Sequence, residues 1–428
     1  SSLRRCQAHG ARLVAFAAPP SERAHHPWPN LIQARGMPLP EPTIEHLTTT
    51  ADVQRFADEA RSAGRLALDT EFLWERTYAP VPCLVQVATA DRLVVIDPIE
   101  GGDVAPIAHL VADPAVEVLM HAPAADLLLF ARRFAVRPVR IFDVQLVAGF
   151  VGLGTSLAYD RLVERVLRIR LAHNETFSNW VKRPLSPTQV AYAADDVRHL
   201  HAITDALARD LEARGRTAWA QDELARRYGE AVGAPDPRLA YLKLARRGRL
   251  TGRQLAVLRE TAAWREAEAE TSDLPVGWVL KDPTLLEIAR TMPRDAAAIS
   301  QVRGAGGLSG SARARLAGAI AVGIEAEPIE PPRELPREIV RRVAAAADLA
   351  SVLLRIRCDA ADLAPELVAT RGDLERYVEG LITHGVDGHP LAQGWRAELV
   401  GAEVRDLVEG RIAIASLAAT PYVAIIRR

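Results

Sequence analysis

Residues 65–98 read RLALDTEFLWERTYAPVPCLVQVATADRLVVIDP, three apolar runs (RLALDTEF, 65–72; CLVQVATA, 83–90; RLVVIDP, 92–98) joined by short connections. Runs of this length are too short for helices, and connections this short suit antiparallel neighbours, so the stretch predicts a strand meander. Upstream, ADVQRFADEARSAG (51–64) has helical spacing and ends in Gly. Downstream, VEVLMHA (116–122) and RIFDV (140–144) alternate with helical segments, and Ser186 to Arg214 has helical period. Strands interleaved with helices predict an α/β domain over about residues 41–230, built on a mixed sheet of about five strands.

The 428-residue chain has room for roughly two to four domains. AVGAPDP (231–237) and AEPIEPPRELP (326–336) read as linkers, because Pro and Gly break helices. The pattern beyond the first linker is almost purely helical, which predicts two all-α modules over 238–325 and 337–428. Residues 1–40 hold five Arg and one acid, Glu22, in a run without period, and read as a flexible tail.

Composition narrows the function classes. Hydrophobic residues make up 49% and charged residues 25%, which excludes wholesale disorder and fibrous repeats. A net charge of −1 leaves nucleic-acid binding to local patches. No apolar run reaches the roughly 18 residues of a membrane helix. Cys6, Cys83 and Cys358 are too scattered for a disulfide framework or a CxxC zinc site, which points to a reducing, cytoplasmic setting.

Three segments carry candidate chemistry. Asp69 and Glu71 lie two apart on a predicted strand, so both project from one face. The ordinary reading is a solvated strand; the apolar residues Leu66, Leu68 and Phe72 around them point instead to a strand end rising from a core. Asp126, after HAPAA, sits near a helix start, where a capping role is the simple account. His121 reads as a partly buried histidine at a strand end. Tyr192 and Asp196 are four apart on a predicted helix and face the same way, a pairing that a solvated face also produces. Asp195 points elsewhere and reads as a surface residue.

In order, LALDTEF, HAPAAD and YAADD resemble the three motifs of the DEDD superfamily of 3′–5′ exonucleases, in its tyrosine-bearing branch and within that the bacterial ribonuclease D family. ERTYAPVPCLVQ (75–86) and SNWVKRPLSPTQVAYAADDV (178–197) are similar to the same family. QLAVLRETAAWREAEAE and DLPVGWVLKDPTLLEIA resemble its first HRDC helical domain, and LAQGWRAELVGAEV (391–404) its divergent second one. The resemblance covers about residues 41–428, with departures where Ala172-His173 and Ser178-Asn179-Trp180 replace an Asp-Lys pair and Ser-Asp-Trp.

The resemblance implies a ribonuclease H-like fold in which Asp69, Glu71, Asp126 and Asp196 hold two Mg²⁺ or Mn²⁺ ions. Tyr192 would orient the attacking water, since a phenol titrating near 10 is a poor base at neutral pH. It further implies release of nucleoside 5′-monophosphates from RNA with a free 3′ end, tRNA precursors among them, with no membrane and no obligate protein partner. Arg238 to Arg259 contains seven Lys+Arg and no acid, centred on Arg246, Arg247 and Arg249. This run, with His173, reads as a phosphate contact or as a solvated helix face. Trp264 and Trp278 read as helical core. A DNA-directed exonuclease and a non-catalytic RNA-binding adaptor are the competing readings.

Overall fold

The computed structural model describes residues 43–171, 178–229, 236–246, 249–331, 335–418 and 423–427. The expected tail over 1–40, His173 and Arg247 lie outside the described residues. The chain enters through β1 (Ile44–Leu47) and α1 (Thr50–Ala63). Thr49 caps α1 by accepting from the Asp52 amide, and Gly64 ends it at φ 70°, a left-handed conformation that a Cβ disfavours. Val53, Phe56, Ala57 and Ala60 recur at helical spacing and form the buried face.

The meander follows as β2 (Arg65–Leu73), β3 (Val81–Ala88) and β4 (Leu93–Ile96). Helix α2 (Ala105–Val111) leads to β5 (Glu117–Met120), α3 (Ala124–Phe134) and β6 (Ile141–Asp143). The sheet order is β1-β4-β3-β2-β5-β6. Strands β2, β3 and β4 are antiparallel neighbours, as the short connections predict, while β1/β4, β2/β5 and β5/β6 are parallel. The sheet thus has six strands rather than about five. The addition is β1, whose four residues IEHL are too few to show alternation and become a strand only through pairing with β4.

Helices α4 (Val144–Phe150), α5 (Tyr159–Leu167), α6 (Pro187–Arg198), α7 (Leu200–Ala213) and α8 (Thr217–Tyr228) complete this part. The single helical stretch expected over 186–214 is broken at His199 into α6 and α7. Helix α6 lies across β2, β3 and β4 on the face that carries Asp69 and Glu71.

A helical module with a core of its own follows: α9 (Tyr241–Ala245), α10 (Gly252–Ser272), α11 (Val276–Val279), α12 (Asp282–Thr291), α13 (Ala296–Gln301) and α14 (Gly310–Glu325). Helices α10 and α14 approach so closely that a Cβ on Gly323 would lie 2.5 Å from the Val257 Cα. Trp264 is core, as expected, whereas Trp278 is 63% exposed, because the short α11 turns it outward.

The last module comprises α15 (Arg337–Ala361), α16 (Pro365–Val368), α17 (Arg371–Ile382), α18 (Gly394–Arg396) and α19 (Ala402–Val408). It is helix-rich but not all-α, since β7 (Ile412–Ser416) and β8 (Val423–Arg427) pair as an antiparallel ribbon. Nor is it separate: its buried residues belong to the same continuous core as the α/β domain. Trp395 stacks on Trp219 at 5.1 Å between centroids and meets Phe150 edge-on at 5.5 Å. Arg396 pairs with the fully buried Glu223 of α8, which also accepts from Arg226 and Arg227.

Removing Arg396 takes one of three arginines from the buried Glu223 and leaves the Leu367 and Val368 carbonyls without their donor, a loss of roughly 1–3 kcal/mol. Arg396→Met is therefore expected to lower the stability of the whole chain by about that amount in denaturant titration. A change under about 0.5 kcal/mol, the scale of a surface substitution, would contradict the role of this contact.

Candidate active site

Strand β2 presents Asp69 and Glu71 on one face, and its register against β3 shifts between Glu71 and Phe72. Bulges of this kind end regular pairing and re-aim side chains. Thr70, between the two acids, donates its hydroxyl to Asp126. Asp126 is not the cap of α3: Pro123 holds that position without a side-chain bond, and Asp126 lies in the first helical turn, buried. His121 follows the end of β5 as expected, with Nε2 3.0 Å from the Leu157 carbonyl.

Helix α6 begins with a capping box between Ser186 and Gln189 and has Pro187 in its first turn, which fixes where its later turns fall. Tyr192 and Asp196 then project one turn apart. The Tyr192 ring packs 6.1 Å from that of Trp180, tilted by 36°. Arg183 pins the segment bearing Trp180, donating to Asp97 at 2.6 and 2.8 Å, to the Trp180 carbonyl at 2.7 Å and to the Cys83 carbonyl at 2.8 Å. Asp195 is not a solvated residue but pairs with Arg198 at 2.9 Å.

The elements converge so that carboxylate oxygens of Asp69, Glu71 and Asp196 lie within 4.8 Å of one another. Asp126 sits beside them, and its charge bears on both Asp69 and Glu71. Burial, reinforced by the neighbouring acids, pushes the Asp69 carboxyl well above its usual range. Glu71 rises to about 7 by burial and by Asp126, and Asp196 to about 8 by burial and then by Glu71 and Asp195. Burial lifts Asp126 to about 6 against the Thr70 hydrogen bond. Half-buried, mutually repelling hard-oxygen donors fit a divalent cation of the Mg²⁺ or Mn²⁺ type, which would offset their charge.

A pH dependence follows for metal-stripped protein. The unfolded chain releases these protons near pH 4, so at intermediate pH the folded state binds more of them. Their contribution to stability is full below the unfolded values and is lost as pH rises through about 6, 7 and 8, the values of Asp126, Glu71 and Asp196. Melts of chelator-treated protein should show Tm falling from about pH 5 to about pH 8, with Asp196→Asn flattening the fall. A level Tm in wild type across that span would contradict it.

Tyr159 was not singled out by any pattern in the sequence. Its hydroxyl is buried, and its phenol is pushed well above the usual range by burial and then by Asp196. It lies at the start of α5, outside every motif, and only the fold brings it to the acids.

The basic run is only partly solvated. Arg238 and Arg259 both pair with Glu260, the acid that ends the run, and Arg253 donates to the Ala326 carbonyl. Arg246 and Arg249 are exposed. The same module reaches the α/β domain through Tyr78, whose amide donates to Asp273 at 3.1 Å and whose hydroxyl donates to Glu266 at 3.3 Å.

Known proteins divide in the same way. The 3′–5′ exonuclease domain family matches residues 44–212, and the HRDC domain family matches residues 254–309. Ribonuclease D of Gluconacetobacter diazotrophicus is 38% identical over 381 residues, covering 87% of this chain and 94% of that protein. Ribonuclease D of Granulibacter bethesdensis is 36% identical over 383 residues, covering 88% and 95%. The crystal structure of Escherichia coli RNase D, described as an exoribonuclease involved in structured RNA processing, superposes with a TM-score of 0.71 at 27% identity, covering 86% of this chain and 99% of that one. With identity at this level running through nearly the full length of its relatives, and with an α/β sheet and helical module matched in order, the chain belongs to the ribonuclease D family.

Proposed function

We propose that this chain is a divalent-metal-dependent 3′–5′ exoribonuclease that trims structured RNA, tRNA precursors among its substrates, and releases nucleoside 5′-monophosphates. The observation that carries the reading is the approach of Asp69, Glu71 and Asp196 oxygens to within 4.8 Å in a half-buried site. Asp69, Glu71, Asp126 and Asp196 would hold two Mg²⁺ or Mn²⁺ ions. Such a pair supplies Lewis-acid activation of water and stabilisation of the leaving oxygen. Tyr192, held against Trp180, orients the attacking water through its hydroxyl, and Thr70 fixes Asp126. On this reading residues 41–230 form the exonuclease unit, while 238–325 and 337–428 form two HRDC-type units.

The test is digestion of matched single-stranded RNA and DNA with free and blocked 3′ ends, with Mg²⁺, Mn²⁺ or chelator. Metal-dependent loss of terminal nucleotides from RNA with a free end is expected. Equal digestion of DNA would favour the DNA-directed reading, and no digestion of either would favour the adaptor.

RNA backbone contact is assigned to Arg246, Arg247, Arg249 and His173. Because the last module shares its core with the α/β domain, this contact is best tested in the full chain rather than by truncation. Replacing the three arginines with Ala should reduce the slope of log affinity against log salt by about 2, given about 0.7 per phosphate contact on single strands. An unchanged slope would assign the run to helix solvation.

A further inference from the structure

Gln86 stands in the middle of β3, fully buried, and neither its amide oxygen nor its amide nitrogen has a hydrogen-bond partner among the described residues. The β2/β3 register sets it directly opposite Asp69, and the β3/β4 register directly opposite Val95. Residues opposed across antiparallel strands project from one face with Cβ atoms about 4.5–5.5 Å apart. Its neighbours on that face, Leu84 and Val95, pack with Trp180 and with Ala193 of α6 in one small cluster. The amide therefore lies beneath α6, beside Asp69, next to the helix that carries Tyr192 and Asp196.

An unpaired amide in such a place is destabilising. An unbranched apolar side chain of similar volume would fill the space without that cost. The residue type thus runs against folding alone and calls for a partner at the acid cluster. Carboxylates that hold a cation are commonly oriented by a second layer of hydrogen-bond donors. A neutral amide is suited to that task, because it donates without adding a charge that would compete with the cation, as a lysine or arginine would.

We infer that Gln86 is a positioning residue of the cation site: its amide, unpaired in the metal-free fold, donates its N–H to the Asp69 carboxylate when the cation is bound and holds that carboxylate toward the ion. The inference rests on the reading of the acids as a divalent-cation site. It differs from a packing role in a way that can be measured, since the amide lowers the stability of the metal-free fold while raising affinity for the ion.

The experiment uses full-length, chelator-treated protein, wild type and the variants Gln86→Met and Gln86→Leu, with Mn²⁺ alone titrated by calorimetry and melts recorded without metal. The expected result is Mn²⁺ binding weaker by about 10–100-fold, the usual effect of losing such a donor, with a metal-free Tm equal to or above that of wild type. Mn²⁺ affinity within about twofold of wild type in both variants would overturn the inference. So would a lowered Tm or failure to fold in both, which would make the amide a structural group. Asp69→Asn titrated alongside separates the two levels. If wild type binds no Mn²⁺, or Asp69→Asn binds it equally well, the cation-site reading itself fails. If binding depends on Asp69 while the Gln86 variants match wild type, only the role of Gln86 is lost.

Discussion

Asp196→Asn is expected to lower RNA hydrolysis by roughly 10⁴-fold while leaving the protein folded, and Asp69→Asn to do the same. Lewis-acid stabilisation of developing charge is worth several kcal/mol, and each 1.4 kcal/mol is tenfold in rate. The amide keeps the shape of the side chain but removes the charge that would hold the ion. The same change relieves repulsion in the metal-free site, where burial, Glu71 and Asp195 already push the Asp196 carboxyl up to about 8. Activity and stability should therefore move in opposite directions, with hydrolysis lost and the Tm of stripped protein at neutral pH raised. Measured together, single-turnover hydrolysis and thermal melts separate this outcome from unfolding. Near-wild-type turnover in either variant, insensitive to chelator, would sink the two-metal reading.

Tyr192→Phe is expected to lower the single-turnover rate by about 10²–10⁴-fold, the range for loss of a positioned catalytic group. The ring packing against Trp180 is retained in the variant, since only the hydroxyl is removed. Mn²⁺ affinity should stay close to wild type, because the phenol is assigned to the water and not to the ion. An unchanged single-turnover rate would remove Tyr192 from the chemistry. A large loss of metal affinity would instead make it a support for the acids.

Much of the site is legible in the linear sequence because its parts are short and each is local. Asp69 and Glu71 share a face by strand alternation, and Tyr192 and Asp196 share one by helical spacing, so both pairs can be read without a fold. Asp126 is read at the right helix, and the capping alternative weighed for it there falls away, since Pro123 occupies the cap position. Strand β1 escapes because four residues carry no periodicity, and Trp278 is misplaced because a hydrophobic ring within a helical pattern says nothing about which way a four-residue helix turns it.

Alternation, helical period and Pro/Gly breaks act over a few residues, so the strand meander, the order of the acidic motifs and the mainly helical character of the chain after Arg238 are legible locally, whereas the β7/β8 ribbon is not. Tertiary structure alone decided that Asp69, Glu71 and Asp196 meet within 4.8 Å, that Tyr159 and Gln86 lie beside them, and that the last module joins the core of the first domain through Trp395 and Arg396. These placements follow from how α6 lies over β2–β4 and how α8 meets α18. Such packing is set by burial between segments far apart in the chain, for which local periodicity carries no signal.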